Sequence, residues 1–445
     1  MSHKQSRHIV IAGIAAVSTA CLGLTAASTA ASAAATRVPV SFWTLSSNSV
    51  EQAAQQAVVN AFNKSYPGGD VSVDFIENTP YKTKIAVAIA AHHPPTIFYT
   101  WGGRLFDQWV AAGQVQSLTG VLAKDKSWYH AFLPTVWPLA SYKGQVYGVP
   151  NGGPGLEALF YNKAVLEKAG VKSVPSTWPE FLSDAAAVKN KVGVAPIALA
   201  GATEWPEMIW LQYLTLRYGG PSVFNNIAAG KANAWDTPAV IKAAQQVQIL
   251  SKDGYFEPGF DAVHYGAGAT DELMAAGRAA FQAMGDWDYS AMENDAPSFV
   301  KSGSYNFTTF PAVPGGRFNT ELVGEPAAYY AVAKDATPAQ KAEAIAFLKY
   351  ITTSSGWNLN YLEKNGNLPV DVNYAKDLPH YTGGAVLLRF YRLAQHATYL
   401  QDYWDQDLPS GIVTPMLTDI GELFTLSITP QKFVSSLDEV LAKNG

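Results

Sequence analysis

In TWGGRLFDQWVAAG, residues 100–113, two tryptophans stand eight positions apart, and only the first is followed by paired glycines. Trp109 recurs with Leu105, Phe106 and Val110 at helical spacing and Gly113 stops the run, so it belongs to a core. Trp101 falls where the apolar run TIFYT ends and before that helix begins. Gly102 and Gly103 clear space above the chain and carry N–H groups at a helix start. An indole so placed is either a flat surface offered to a ligand or a plug between a sheet edge and a helix.

The acids raise a second chemistry. Asp286, Asp288, Glu293 and Asp295 are the densest acidic cluster, and hydrolysis of a glycosidic bond needs two carboxyl groups roughly 5 to 10 Å apart. A secreted glycoside hydrolase is therefore the alternative reading of this chain. Against it, four acids at a helix start read as a solvated end favoured by the helix dipole. No Gly-x-Ser-x-Gly elbow and no His-Glu-x-x-His pair occurs, and His92 and His93 read as loop polarity. DYWDQD, residues 402–407, spaces oxygen ligands as calcium would accept them, but lacks the glycine turn and the following Glu of an EF-hand loop. The expectation is a protein without catalysis, metal or cofactor.

What positions these residues follows from length and pattern. At 445 residues the chain exceeds one compact domain, and its 48% apolar and 15% charged content is globular and light in surface charge. Residues 1–35 read as a signal peptide: Lys4 and Arg7, the apolar run IVIAGIAAV, then small residues suited to cleavage. Losing those two cations takes the formal charge from −5 to −7, and no basic run remains for nucleic acid. Cys21 is the one cysteine, so the mature chain has no disulfide. STAC ahead of it also reads as a lipoprotein cleavage site, although Ser18 replaces the usual leucine. The chain is thus exported, either free or anchored at the cell surface through Cys21.

Strands and helices then alternate. SFWT, VSVDFI and TIFYT read as strands, separated by the helices SVEQAAQQAVVNAFNK and YKTKIAVAIAA. The pattern implies a parallel sheet with helices on its faces and the strand-end loops LSSN and TWGG on one edge. Alternation resumes after VPNGGPG, residues 149–155, a glycine- and proline-rich joint between two units. Residues from about 374 to 445 read as helices.

Three runs carry a resemblance. YNKAVLEKAGVKSVPSTWPEF, ELMAAGRAAFQAMGDW and PAQKAEAIAFLKYI, in that order and spacing, resemble the signatures of extracellular solute-binding proteins of sugar ABC importers, the maltodextrin-binding type. The resemblance implies an α/β, two-lobed periplasmic-binding-protein fold. Each lobe is a β-sheet flanked by helices, and the ligand cleft lies at the hinge. Lobe one would be 36–149 and 324–366, lobe two 150–323 and 367–445. It further implies a monomer that captures an oligosaccharide and delivers it to ABC permease subunits, without covalent chemistry.

A sugar site needs aromatic platforms for the C–H faces of the ring and short polar groups for its hydroxyl rim. Trp101 suits the platform role, with Gly102 beside it. Trp287 matches the tryptophan of the family's Gly-x-Trp turn, and Asp286 either accepts two hydroxyls or caps the helix that follows. Ser47 and Asn48 follow the first strand, where the family places ligand contacts, and either also suits a helix cap. Trp205, opening a helix after PIALAG, suits the opposing platform; Asn151 and Glu325 sit at the two chain crossings, where each suits either a ligand contact or a hinge hydrogen bond. Trp210, Tyr391 and Trp404 read as core.

Overall fold

The computed structural model describes residues 37–45, 49–353, 372–380 and 383–444. The signal peptide, Cys21, Ser47, Asn48 and the run NGNLPV lie outside the described residues.

The first sheet begins with β1 (Val38–Leu45), whose alternate residues Val40, Phe42 and Thr44 turn inward. β2 (Gly69–Ile76) and β3 (Ile97–Thr100) lie parallel to β1 on either side. The helices Ser49–Ser65 and Asn78–Ala90 join these strands. The first buries Ala54, Val58 and Phe62, the four-residue step legible in the sequence. A small hairpin, β4 (Ser141–Tyr142) with β5 (Gln145–Val146), precedes the edge strand β6 (Gly148–Pro150).

The second sheet is built from β7 (Gly155–Asn162), β8 (Ala195–Ile197), β9 (Ala279–Gly285), β10 (Tyr305–Thr308), β11 (Leu322–Glu325) and, late in the chain, β13 (Leu400–Gln401). Between β11 and β13 the chain returns to the first sheet as β12 (Tyr329–Val332), giving the order β2-β1-β3-β12-β6 there and β13-β11-β7-β9-β8 in the second.

The expected parallel pairing holds for β1 with β2 and β3 and for β8 with β9. Both sheets are nevertheless mixed. β12 runs antiparallel to β3 and β6, and β7 runs antiparallel to β9, β10 and β11. A helical crossover returns the chain in its original direction, which enforces parallel pairing. β7 and β12 instead arrive straight from the other sheet, so no crossover fixes their direction.

Each sheet has its own packing. Phe347, from the helix Pro338–Thr353, packs edge-on against Phe42 and Phe62 on one face of the first sheet. Tyr81, Ile85, Phe98 and Trp109 fill the opposite face. The second sheet is covered by the helix Trp205–Gly219, with Ile209, Trp210 and Tyr213 fully buried. Trp404 is also buried, stacked on Phe224 at 4.9 Å.

The chain passes between sheets at 151–154 and at 326–328. Pro150 pairs with Tyr329 and Gly155 with Glu325, so the two passages run side by side. The Asn151 N–H donates to the Ala328 carbonyl at 2.9 Å and ties them together.

Candidate functional site: an aromatic and acidic cleft between the sheets

Both passages open onto one cleft. Thr44, Leu45 and Trp101 line it from the first sheet, and Glu157, Asp286 and Trp287 from the second. Asn151, Trp205 and Glu325 also line it. Six of the residues singled out in the sequence therefore meet at one place: Trp101, Asn151, Trp205, Asp286, Trp287 and Glu325.

Gly102 is not among the lining residues. Its N–H donates to Thr100 Oγ1 at 3.2 Å, so it is spent inside the turn and not offered to a ligand. The glycine is required for another reason. Its backbone has φ +80° and ψ −151°, and a Cβ there would meet the Leu139 carbonyl oxygen at 2.5 Å.

Trp101 is both a lining residue and a packed one. It lines the cleft, yet it is 7% exposed, with Tyr99 and Tyr81 edge-on at 5.0 and 5.9 Å. Lys82 Nζ stands 5.1 Å from its ring centroid, a cation–π contact that covers part of the ring. Trp287 is more open. It begins the helix Trp287–Asp295 directly after β9 and folds back over the strand end, where a Cβ on Gly285 would lie 2.1 Å from its ring. Trp205 stands beside Trp287, centroids 6.2 Å apart, and not opposite it. The two indoles, with Tyr403 edge-on to Trp287 at 6.3 Å, form an aromatic corner on the second-sheet side.

The acids need revision. Asp286 makes no side-chain cap on the helix and is buried. Burial drives its carboxyl well above the usual range, against N–H bonds from Leu156 and Trp287. Asp288 is fully buried, accepts the Tyr305 hydroxyl at 2.5 Å and is pushed up to about 7 by burial. The helix start read as solvated is thus partly interior. Glu325 is also driven up, by burial first and then by Asp402, Asp405 and Asp286. Lys82, which forms an ion pair with Asp405, is the neighbouring charge that pulls it down.

In DYWDQD the carboxylates serve as bridges: Asp405 takes Lys82 and Asp407 takes Arg104 Nε at 2.9 Å. Lys82 and Arg104 lie on helices of the first sheet, whereas Asp405 and Asp407 follow β13 of the second. Among the described residues no group of three or more His, Cys, Asp or Glu is arranged to hold a metal ion.

Several lining residues escaped the sequence reading. Gln55, Asn78, Glu157 and Gln406 also line the cleft, and each holds a buried oxygen without a protein partner, as does Glu325 Oε2. Asn151 Nδ2 and Trp205 Nε1 are donors in the same condition. A buried polar atom left unpaired costs about 1 to 3 kcal/mol, so a cluster of them around one cavity is chemically suited to a polar molecule. Glu157 did carry a signal: it is the lone acid in the apolar strand LEALFYN, where charge is out of place unless it has a use.

Two mixed α/β lobes enclosing an aromatic and hydrogen-bonding cleft define a solute receptor of the two-lobed periplasmic type. The chain belongs to the bacterial extracellular solute-binding proteins, matching that family over residues 46–356. It is similar to a chitin oligosaccharide binding protein, with a TM-score of 0.83 and 23% identity over 92% of this chain and 99% of that one. A structure from work on xylan utilisation by Caldanaerobius polysaccharolyticus shares 26% identity over 90% of this chain and 99% of its own, with a TM-score of 0.81. The xylose/arabinose-binding protein XacG of Haloferax volcanii is 23% identical over 269 residues, 59% of this chain and 56% of that protein. Neither the family nor these relatives supports the hydrolase alternative.

Proposed function

We propose that this protein captures a sugar between its two lobes and delivers it to the permease of an ABC importer, leaving the sugar chemically unchanged. One observation carries the reading: an aromatic corner and a set of residues with unpartnered hydrogen-bonding atoms line one cleft between the two sheets. Indoles suit the C–H faces of a pyranose and the amide and carboxylate oxygens suit its hydroxyls. Relatives whose names refer to chitin oligosaccharide and to xylose or arabinose support the same class of ligand.

In this reading Trp287 and Trp205 are platforms, Trp101 closes the opposite wall, and Asn151, Asp286 and Glu325 hold the rim. Ser47 and Asn48 remain ligand contacts proposed from the resemblance. The lobes follow the expected division, 36–149 with 324–366 and 150–323 with 367–445, except that Pro150 stays with the first sheet and Gly324 and Glu325 with the second, and the protein acts as an exported monomer, free or lipid-anchored through Cys21. The cleft holds about 200 Å³. A cavity of about 150 Å³ accepts one benzene ring, so this arrangement encloses about one pyranose. A di- or trisaccharide requires the lobes to part, and it favours closure only by its greater affinity for the closed form.

The test is calorimetry against xylo-, cello-, malto- and chito-oligosaccharides, with chromatography of the sugar afterwards. Saturable binding with the sugar intact is expected. Released products would mean catalysis, and silence across the panel would defeat the proposal.

A further inference from the structure

The unpartnered atoms of the cleft are unevenly divided. Gln55, Glu157 and Glu325 line it with buried, unpartnered acceptor oxygens, and the Gln55 amide is oriented by its Nε2 donating to Glu51 at 3.2 Å. Two of these acceptors are carboxylates. Glu157 is 3% exposed and Glu325 6%, and each leaves Oε2 without a partner. Among the described residues Lys82 is the one lysine lining the cleft, and it is already paired with Asp405.

Glu157 and Glu325 lie on one face of the second sheet, since Gly155 pairs with Glu325. Residues 155 and 157 share one face of β7, about 6 to 7 Å apart along the strand. Glu325 Oε1 lies 3.2 Å from where a Cβ on Gly155 would stand, so it occupies the space one pleat repeat from the Glu157 side chain. Trp287 touches the same space, its ring 3.2 Å from that Cβ position.

We propose that the cleft selects a sugar bearing a free, protonated amino group, a hexosamine unit without its acyl substituent, whose ammonium is received by Glu157 and Glu325. An ammonium supplies three donors to a wall of acceptors, its bonds to carboxylates are charge-assisted, and the indole and phenol rings beside it add cation–π attraction. An acetamido group at that point keeps one N–H and carries no positive charge to displace the carboxyl protons.

Proton traffic accompanies this. Burial holds the Glu157 and Glu325 carboxyls well above their ordinary range, so they keep protons that an arriving ammonium displaces. The charges facing them are Asp286, Asp402, Asp405 and Lys82. Three phenols, of Tyr213, Tyr329 and Tyr403, face them as well.

This inference rests on the sugar-capture reading and deepens it. The experiment is calorimetry at pH 6.5 with the β-1,4-linked disaccharide of glucosamine, its N,N′-diacetyl form and cellobiose. We expect the free amine to bind at least tenfold tighter than either, and Glu157→Gln and Glu325→Gln each to cut that preference at least fivefold. Repeating the wild-type titration in two buffers of different ionisation heat should show proton release with the amine and none with cellobiose, a readout that needs no folded variant. Equal or tighter binding of the acetylated or hydroxyl sugar, or equal proton release, overturns the inference and leaves sugar capture standing. If neither these sugars nor the wider panel bind, the capture reading falls and takes the inference with it.

Discussion

Tryptophan side chains in this protein divide by environment, and the division predicts how they respond to truncation. Trp287 is half-buried on the cleft, whereas Trp210 is fully buried behind the second sheet. Trp287→Ala should cost about 2 to 4 kcal/mol in sugar affinity by calorimetry with little change in melting temperature. Trp210→Ala should cost about 3 to 5 kcal/mol in stability by denaturant unfolding. Similar unfolding of both variants would place Trp287 in the core. Sequence spacing separated these two because helical periodicity marks Trp210 as interior, while a glycine turn marks Trp287 as exposed. It could not pair Trp287 with Trp205, since their contact joins residues 82 positions apart. The acceptors Gln55 and Asn78 were illegible for the same reason: both lie on surface-patterned helices, and only the tertiary fold turns them toward the cleft.

Among elements, the turn after β3 sets the wall that faces the aromatic corner. Gly102 takes a conformation open only to glycine and lies against Leu139 and Tyr329. Gly102→Ala should therefore lower stability by at least about 2 kcal/mol, read by thermal melting, and weaken sugar binding through displacement of Trp101. Unchanged melting would show that the turn relaxes freely. Strand and helix alternation was readable because β1 and the helix Ser49–Ser65 keep periods of two and four in burial. The passage at VPNGGPG was readable because glycine and proline interrupt both. The antiparallel placement of β7 and β12 was not, because direction there depends on which sheet the chain has just left.

For the whole molecule, buried acids govern the response to pH. Burial lifts Glu207 to about 9, with Glu204 and Asp261 adding to it, and lifts Glu257 and Asp288 to about 7. A raised acid means the folded state keeps a proton that the unfolded chain has released. Stability is then greatest below the unfolded values near 4 and declines as pH rises toward 7 and on to 9. Melting temperature should fall between pH 5 and pH 9, and Glu207→Gln should flatten the upper part of that fall; a flat wild-type profile would contradict it. Lys82–Asp405 and Arg104–Asp407 join the two sheets. The Arg104 pair is partly exposed and contributes at most about 1 kcal/mol. Lys82→Met leaves Asp405 buried without its partner, so the sugar-free protein should expand in small-angle scattering, and an unchanged radius would deny the pair a role in closure.

β12 is the late strand that completes the early sheet: residues 329–332 fill the gap between β3 and β6. A ribosome must therefore make most of the chain before that sheet can close. A nascent polypeptide kept unfinished for so long stays threadable, the state that a secretion channel accepts. A protease cut at 152–154 would likewise yield two fragments that remain interlocked, since the later one supplies the middle of the earlier one's sheet.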